Sequence, residues 1–225
     1  MGDQKITKEE LLAKAIKPAS DAMKMHPFYR GKIEVVPKCV IRDINDFAIW
    51  YTPGVATPCL DINKNPDMVF QHTNKANMVA IVTDGTRVLG LGDIGPMAAL
   101  PVMEGKALRF KYLGGVDAFP ICLDTKDPEE IIRTVKIISP TFGGINLEDI
   151  ENPKCFHILH KLRAEASIPV WHDDQQGTAA VTLAGLVNAL KVVKKKMEDV
   201  KITMIGIGAA NVCITKLLIK AGADP

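Results

Sequence analysis

Hydrophobic positions in the middle of the chain fall into short apolar runs that alternate with stretches of helical periodicity. Runs rich in β-branched residues predict buried strands, and apolar positions three and four residues apart predict the helices that cover them. Such alternation is typical of βαβ units and a parallel sheet with helices on both faces. The predicted strands are 78–83, 116–123, 142–147 and 168–171, and the predicted helices are 98–113, 128–138 and 153–166.

The C-terminal part repeats this alternation around a glycine turn. A long helical pattern over 177–196 precedes an apolar strand at 200–205 and an amphipathic helix at 212–221. Strand, glycine turn and helix together form the opening of a dinucleotide-binding fold. The predicted fold class is therefore α/β: an N-terminal domain with a largely parallel sheet, followed by the first βα unit of a truncated Rossmann-type domain.

The glycine turn itself is a candidate nucleotide site. Gly206 permits the turn, Gly208 lets backbone N–H groups approach a pyrophosphate, and the following helix N-terminus favours its negative charge. Asn211 stands where a third glycine is usual, so a plain strand-to-helix turn remains the alternative. The candidate cofactor-binding residues are Gly206, Gly208, Ala209, Ala210 and Asn211.

The first 60 or so residues carry weaker patterns. Apolar positions over 8–17 predict a helix that ends at Pro18, and 35–41 is a candidate strand. Pro53 and Gly54 then predict a turn directly after Tyr51.

Composition is that of an ordinary globular protein and limits the possible partners. The 225 residues are 47% hydrophobic and 24% charged, with a net charge of +2, which argues against nucleic acid or a membrane surface as a partner. No apolar run approaches the length of a membrane span, and Asp3 lies too early for a signal peptide. Five cysteines without a CxxC pair indicate free thiols in a reducing, cytoplasmic compartment.

Four carboxylates follow two of the predicted strands. Glu148 and Asp149 come after one strand, and Asp173 and Asp174 come after the next. Because carboxyl ends of parallel strands meet at one edge of a sheet, these acids are expected to crowd together and repel each other. A hard divalent cation such as Mg²⁺ or Mn²⁺ prefers oxygen ligands and neutralises them. The sequence therefore predicts a metal site at this edge.

Other candidate residues each have a structural alternative. Arg87, in a glycine-rich loop over 83–95, is a candidate clamp for a carboxylate or else a surface arginine in a hairpin. Lys106 is a candidate base if burial lowers its pKa, although most helical lysines extend into water and the sequence alone favours that. Tyr51 is a candidate acid, but a tyrosine beside a tryptophan usually packs. His172 is near the acids in sequence, but an orientation away from them is its alternative, since neighbouring strand positions point to opposite faces.

Five ordered segments together resemble malic enzyme, in the compact form found in bacteria and archaea. They cover nearly the whole chain, although a malic enzyme subunit of this kind is much longer. The segments are Tyr51-Thr-Pro-Gly-Val-Ala, Thr83-Asp-Gly-Thr-Arg-Val-Leu-Gly-Leu-Gly-Asp-Ile-Gly, Glu104-Gly-Lys106, Ile145-Asn-Leu-Glu148-Asp149 and His172-Asp-Asp-Gln-Gln-Gly-Thr-Ala.

The resemblance implies a reaction and a division of roles. It implies a substrate and metal domain over 1–174, the start of an NAD(P)-binding domain over 175–225, and oxidative decarboxylation of L-malate to pyruvate. Lys106 would be the general base, Tyr51 the general acid, and Arg87 the ligand of a substrate carboxylate. The implied cofactors are Mg²⁺ or Mn²⁺ and NAD or NADP, with the metal held by Glu148, Asp149 and Asp174 and with Asp173 beside them.

The resemblance also implies a homo-oligomer, usually a dimer, in which the N-terminal arm contributes to the partner's site. Malolactic conversion or simple decarboxylation of oxaloacetate at the same site is the closest alternative. A further alternative is a non-catalytic half that needs a second polypeptide to supply the rest of the nucleotide domain.

Overall fold

The protein is described by a computed structural model that covers residues 7–224. The expectation about a signal peptide falls on residues 1–6 and lies outside the described part. Two compact units divide the chain, Met1–Val36 and Pro37–Pro225. In the first unit α1 runs from Lys8 to Tyr29.

The prediction that this first helix ends at Pro18 was wrong. Pro18 and Pro27 both lie inside α1. A proline removes one hydrogen-bond donor and crowds the preceding turn, but it leaves the other hydrogen bonds of the helix in place. Good helix formers such as Ala19 and Ala22 follow Pro18 and continue the helix.

The second unit is built on a parallel sheet of four strands in the order β2-β1-β3-β4. The four strands predicted between residues 78 and 171 and the helices between them are confirmed, with boundaries shifted by a few residues at most. The strands are β1 (Met78–Thr83), β2 (Asp117–Cys122), β3 (Gly144–Leu147) and β4 (Val170–His172). The helices are α2 (Phe47–Trp50), α3 (Ala56–Lys64), α4 (Val69–His72), α5 (Pro96–Gly114), α6 (Pro128–Ile138), α7 (Lys154–Glu165), α8 (Thr178–Val193) and α9 (Ala209–Lys220).

Local sequence signals set the ends of the helices around the sheet. Helix α6 begins with the Asp127 side chain accepting a hydrogen bond from the Glu129 amide, and proline occupies its first position. Helix α5 also begins at a proline and is followed by Gly115, whose φ of 68° is the left-handed conformation common after a helix.

Both faces of the sheet are covered, as the alternating pattern predicts. On β1, Ile81 packs on one side with Met103 and Ala107 of α5. Ala80 and Val82 point to the other side, where they join the larger core formed with α6 and α7. Burial on both faces explains why this strand is continuously apolar rather than alternating.

Two predicted strands do not form. Residues 35–41 and 200–205 have no assigned strand structure, and none of the described sheet strands pairs with them. Their apolar side chains are largely exposed, with Val35 at 85% and Ile205 at 89%. A strand needs hydrogen bonds to a neighbouring strand, so an apolar pattern alone does not produce one.

A π-helical turn over Asp173–Gly177 leads from β4 into α8. Helix α8 packs against α9 through Ala179, Ile214 and Leu218. By length and composition alone, Asp173–Val193 is long and apolar enough to cross a membrane. The uninterrupted apolar runs of the sequence predicted no segment of that length. A helix that packs within a folded domain passes the same test, and one of its first residues, Asp174, belongs to the acidic group described below.

We expect Gly143→Ala to destabilise the chain by about 1–3 kcal/mol. A Cβ at Gly143 would lie 2.3 Å from the carbonyl oxygen of Lys75, a backbone atom that cannot move aside easily. Urea unfolding measures the free energy of unfolding. The matched control is Gly185→Ala in α8, where no atom lies within 4 Å and the change should be neutral or stabilising. Equal effects of the two substitutions would contradict this account of the β3 start.

Candidate active site

The carboxyl ends of β3 and β4 meet at one edge of the sheet and bring three acids together there. Glu148 and Asp149 follow β3, and Asp174 lies in the turn after β4. One oxygen from each of these side chains lies within 4.8 Å of the others. We call these three residues the acidic group. The crowding expected from the sequence is therefore present in the fold.

Asp149 is held in an unusual conformation within this group. Its φ of 53° is in the left-handed region, which non-glycine residues adopt uncommonly. Its amide donates to Asp174 Oδ2 at 2.9 Å, and its carbonyl accepts from the Arg87 amide at 3.0 Å. The Asp149 Oδ2 atom is buried and has no hydrogen-bond donor among residues 7–224. Buried oxygens without donors are rare, and a bound cation would satisfy this one.

Lys106 extends from α5 to the rim of the acidic group. Its Nζ lies 2.8 Å from Glu148 Oε1 and 2.6 Å from Asp173 Oδ2, and only 15% of its side chain is exposed. The favoured expectation from sequence, a lysine extended into water, was wrong. Asp173 thus pairs with the lysine, beside the acidic group.

The pKa of Lys106 differs from the sequence-based expectation as well. Burial lowers the pKa of this amine, but the hydrogen bonds and negative charges of Asp173 and Glu148 outweigh burial and raise it above its ordinary value. While both carboxylates are charged, burial therefore does not lower the pKa of Lys106 enough to make it a base. Lys106 can act as a base only when those charges are engaged elsewhere.

Burial dominates the electrostatics of two of the acids. It raises the pKa of Glu148 to about 7, against the opposing effects of Lys106 and Asn146. Burial and the negative charge of Asp174 raise the pKa of Asp149 to about 6. For Asp174, burial is outweighed by hydrogen bonds from His172 and the Asp149 amide, which lower its pKa. The group holds negative charge at a cost, which favours a divalent cation.

The sequence did not assign two side chains to the acids that they contact. Asn146 donates from Nδ2 to Glu148 Oε2 at 2.8 Å. His172 is fully buried, and its Nε2 lies 3.1 Å from Asp174 Oδ2, so the expectation that it can face away was wrong. Each lies two residues before the acid that it contacts, a spacing that could have pointed to both.

The glycine-rich loop after β1 lies against the acidic group. The carbonyl of Gly85 accepts from the amides of Ile94 and Gly95, both at 3.2 Å, and closes the loop. A Cβ on Gly85 would lie 2.3 Å from the Gly95 oxygen, so only glycine fits. Arg87 is exposed, and its Nη1 donates to the Leu89 carbonyl at 2.6 Å.

A buried brace joins this loop to the chain after Asp149. Thr86 Oγ1 donates to Asp84 Oδ1 at 2.6 Å and accepts from the Glu151 amide at 3.0 Å. The other Asp84 oxygen forms an ion pair with Lys154 Nζ at 2.7 Å. Thr86 therefore holds two segments that adjoin Asp149: the next residue, Arg87, donates to the Asp149 carbonyl, and Glu151 follows Asp149 along the chain.

Tyr51 and the glycine turn are not part of this cluster of side chains. Tyr51 follows α2 and is 70% exposed, and its hydroxyl has no hydrogen-bond partner within the described chain. In the glycine turn, Gly206 has a φ of 96°, and Asn211 Nδ2 donates to the Ile205 and Gly206 carbonyls at 2.7 and 3.1 Å. Asn211 therefore closes the turn in this structure, and Gly208 precedes the first residue of α9.

Family models match most of this architecture. Residues 30–130 and 125–163 match the malic enzyme N-terminal domain, and residues 175–224 match the malic enzyme NAD binding domain. This chain belongs to the malic enzyme family. The fold class and the family resemblance expected from the sequence are both confirmed.

Individual relatives agree with the family models. The chain is 60% identical to the NAD-dependent malic enzyme of Geobacillus stearothermophilus over 85% of its length, which is 40% of the relative. It is 56% identical to the bifunctional malic/malolactic enzyme of Bacillus subtilis over 88% of its length, which is 48% of that relative. The crystal structure of Entamoeba histolytica malic enzyme has a TM-score of 0.94 at 48% identity, covering 99% of this chain and 47% of that one. The chain thus spans less than half the length of these relatives.

We expect Asp149→Asn to raise the stability of the metal-free chain above neutral pH by about 1–3 kcal/mol. Its carboxyl has a pKa of about 6 in the folded chain against an ordinary 3.8. The folded state therefore binds this proton more tightly than the unfolded state, and stability falls as pH rises from about 4 to about 6. The neutral amide removes that loss.

Thermal unfolding of the metal-free chain at several pH values measures this effect. Asp199→Asn is the matched control, because Asp199 is exposed and outside the acidic group. A melting temperature of Asp149→Asn that is lower than that of the unaltered chain above neutral pH would contradict the assigned electrostatics.

Proposed function

We propose that this chain carries the malate- and metal-binding part of a malic enzyme. The reaction is the divalent-metal-dependent oxidation and decarboxylation of L-malate to pyruvate and CO₂, with reduction of NAD or NADP. The observation that carries the proposal is the position of Lys106 Nζ, 2.8 Å from Glu148 at the rim of the acidic group. A base beside a cation site is the arrangement that this reaction requires.

Mg²⁺ or Mn²⁺ would be held by Glu148, Asp149 and Asp174. Oxygen ligands alone are the donor set that these hard cations prefer. The donor-free Asp149 Oδ2 and the close approach of the three side chains support the assignment. Held by these three residues, a cation would act as a Lewis acid that stabilises the negative charge developing on the substrate.

Lys106 is proposed to take the proton from the C2 hydroxyl of malate. A bound nicotinamide would accept the C2 hydrogen with its electron pair as a hydride, and the hydroxyl proton would pass to Nζ, so that a C2 carbonyl would remain. Loss of the C4 carboxyl as CO₂ then places an electron pair at C3. To accept this proton, the Lys106 amine must first be neutral. The negative charges of Glu148 and Asp173 oppose the neutral amine until those charges are engaged by another group.

Arg87 and Tyr51 complete the proposed chemistry. The exposed Arg87 guanidinium is suited to bind a substrate carboxylate. The backbone amide of Arg87 donates a hydrogen bond to the Asp149 carbonyl, which keeps this residue next to the acidic group. Tyr51 would deliver the proton that C3 needs to become the methyl group of pyruvate. Tyr51 is exposed beside Phe47, Ile49 and Trp50, which are also at least 49% exposed. This apolar surface supports a homodimer in which Tyr51 is brought to a completed site.

The nucleotide is proposed to bind at the glycine turn, through Gly206, Gly208, Ala209, Ala210 and Asn211. We place the boundary between a substrate and metal domain, 1–174, and the start of a nucleotide domain, 175–225. The span of the NAD binding family model over 175–224 supports this division. Since the chain covers less than half of its relatives, we propose that a second polypeptide or a longer parent supplies the remainder. Five free cysteines support a cytoplasmic location.

A second candidate is malolactic conversion or the decarboxylation of oxaloacetate at the same site. The similarity to the bifunctional malic/malolactic enzyme of Bacillus subtilis supports this second candidate. Both reactions would use the same cation site, and malolactic conversion, which starts from malate, would also need the base that takes the C2 hydroxyl proton. Pyruvate with reduced nucleotide indicates the first function, and lactate indicates the malolactic one.

We expect the isolated chain to bind Mn²⁺ and to decarboxylate oxaloacetate faster than free Mn²⁺ does, but to oxidise malate slowly. Oxaloacetate loses CO₂ without a nucleotide, so this assay needs only the proposed metal and substrate residues. Asp174→Asn should weaken Mn²⁺ binding at least about tenfold, as loss of a group at a metal site does. Lys106→Met should retain Mn²⁺ binding and the decarboxylation of oxaloacetate, because oxaloacetate has no C2 hydroxyl proton for the base to remove.

Calorimetry of Mn²⁺ binding and release of pyruvate are the two measurements, with Asp199→Asn as the charge-matched control. Unchanged Mn²⁺ affinity in Asp174→Asn would defeat the cation site. Rapid malate oxidation by the isolated chain would instead defeat the need for a remaining nucleotide domain.

A further inference from the structure

A chain of three buried groups leads from the protein core to the acidic group. Gln175 is buried, and its Nε2 lies 3.2 Å from the Cys155 carbonyl oxygen and 2.6 Å from His172 Nδ1. His172 Nε2 in turn lies 3.1 Å from Asp174 Oδ2. None of these contacts involves a group assigned a chemical role in the reaction other than Asp174.

The direction of these hydrogen bonds follows from what each atom can donate. The Cys155 carbonyl can only accept, so the part of Gln175 that faces it must be the amide NH₂. The second hydrogen of the same NH₂ is then directed at His172 Nδ1, which must accept. A ring whose Nδ1 accepts is neutral and carries its proton on Nε2. His172 therefore donates from Nε2 to Asp174 Oδ2.

This donation has a consequence for Asp174. Its Oδ2 receives two hydrogen bonds, from His172 Nε2 and from the Asp149 amide at 2.9 Å. Two donors on one oxygen fix the plane of the carboxylate and direct the other oxygen, Oδ1, away from them. In the described part of the chain, Oδ1 accepts no hydrogen bond, which leaves it available to a ligand.

We propose that His172, locked by Gln175 as the Nε2–H tautomer, is a positioning residue that presents Asp174 Oδ1 to the divalent cation. The inference rests on the proposed function, because it needs the acidic group to bind a cation. Removal of a hydrogen bond that orients a metal ligand typically weakens metal affinity roughly 10–100-fold. His172 acts here on a carboxylate ligand and touches neither substrate nor nucleotide.

The tautomer is tested without metal. In a chain with ¹⁵N-labelled histidines at neutral pH, we expect the His172 ring to show a protonated Nε2 and an unprotonated Nδ1. The His172→Gln variant assigns the resonances by their loss. Gln175→Leu removes the donor to Nδ1 and should shift the ring toward the other tautomer. A protonated Nδ1 in the unaltered chain would overturn the proposal.

The positioning role is tested by calorimetric titration with MnCl₂. His172→Phe removes the donor and should weaken Mn²⁺ binding about 10–100-fold, whereas His172→Gln, whose side-chain amide keeps a donor, should stay within about threefold. Gly143→Ala is the stability control, because it lowers stability far from the acids and should bind Mn²⁺ normally. His157→Phe is the control for loss of an exposed histidine.

The outcomes separate the two proposals. Equal Mn²⁺ affinities of His172→Phe and His172→Gln, both folded by circular dichroism, would overturn the positioning role while leaving the cation site intact. An equal loss of affinity in Gly143→Ala would also overturn it, because stability alone would then explain the effect. Absence of Mn²⁺ binding by the unaltered chain would defeat the proposed function, and the positioning role with it.

Discussion

Repulsion among carboxylates at one edge of the sheet is the constraint on which the rest of this structure depends. Parallel pairing of β1, β3 and β4 places the residues after β3 and β4 side by side, so their acids cannot avoid each other. Burial makes the repulsion worse, as the raised pKa values of Glu148 and Asp149 indicate. The surrounding residues act largely to hold this arrangement in place.

The structure offsets the negative charge in different ways for each acid. Lys106 pairs with Glu148 and Asp173 and reduces the repulsion at the rim. Asp174 is held by two hydrogen bonds on a single oxygen. Asp149 keeps one buried oxygen without a donor and adopts a left-handed backbone conformation, and strain of this kind is found where function requires it.

Rigid support for the acids comes from outside the acidic group. The buried ion pair between Asp84 and Lys154 joins the glycine-rich loop to α7, and Thr86 links that loop to the Glu151 amide. Removal of one partner from such a pair leaves an unpaired buried charge, so the pair favours one arrangement of the two loops. The position of Asp149 therefore depends on residues outside the acidic group.

The sequence by itself determined the parallel sheet, the helices that cover it and the place where the acids meet, because apolar periodicity and strand direction are local properties of the chain. The sequence could not show that segments such as 200–205 stay unpaired, because a strand forms only if a neighbouring strand provides hydrogen bonds. The tertiary structure alone decided that Lys106 turns toward two carboxylates and that His172 faces Asp174. Those orientations depend on groups distant in sequence: the Asp173 side chain for the lysine, and the Cys155 backbone carbonyl behind Gln175 for the histidine. Hydrogen bonds across such separations leave no periodic signal in the chain.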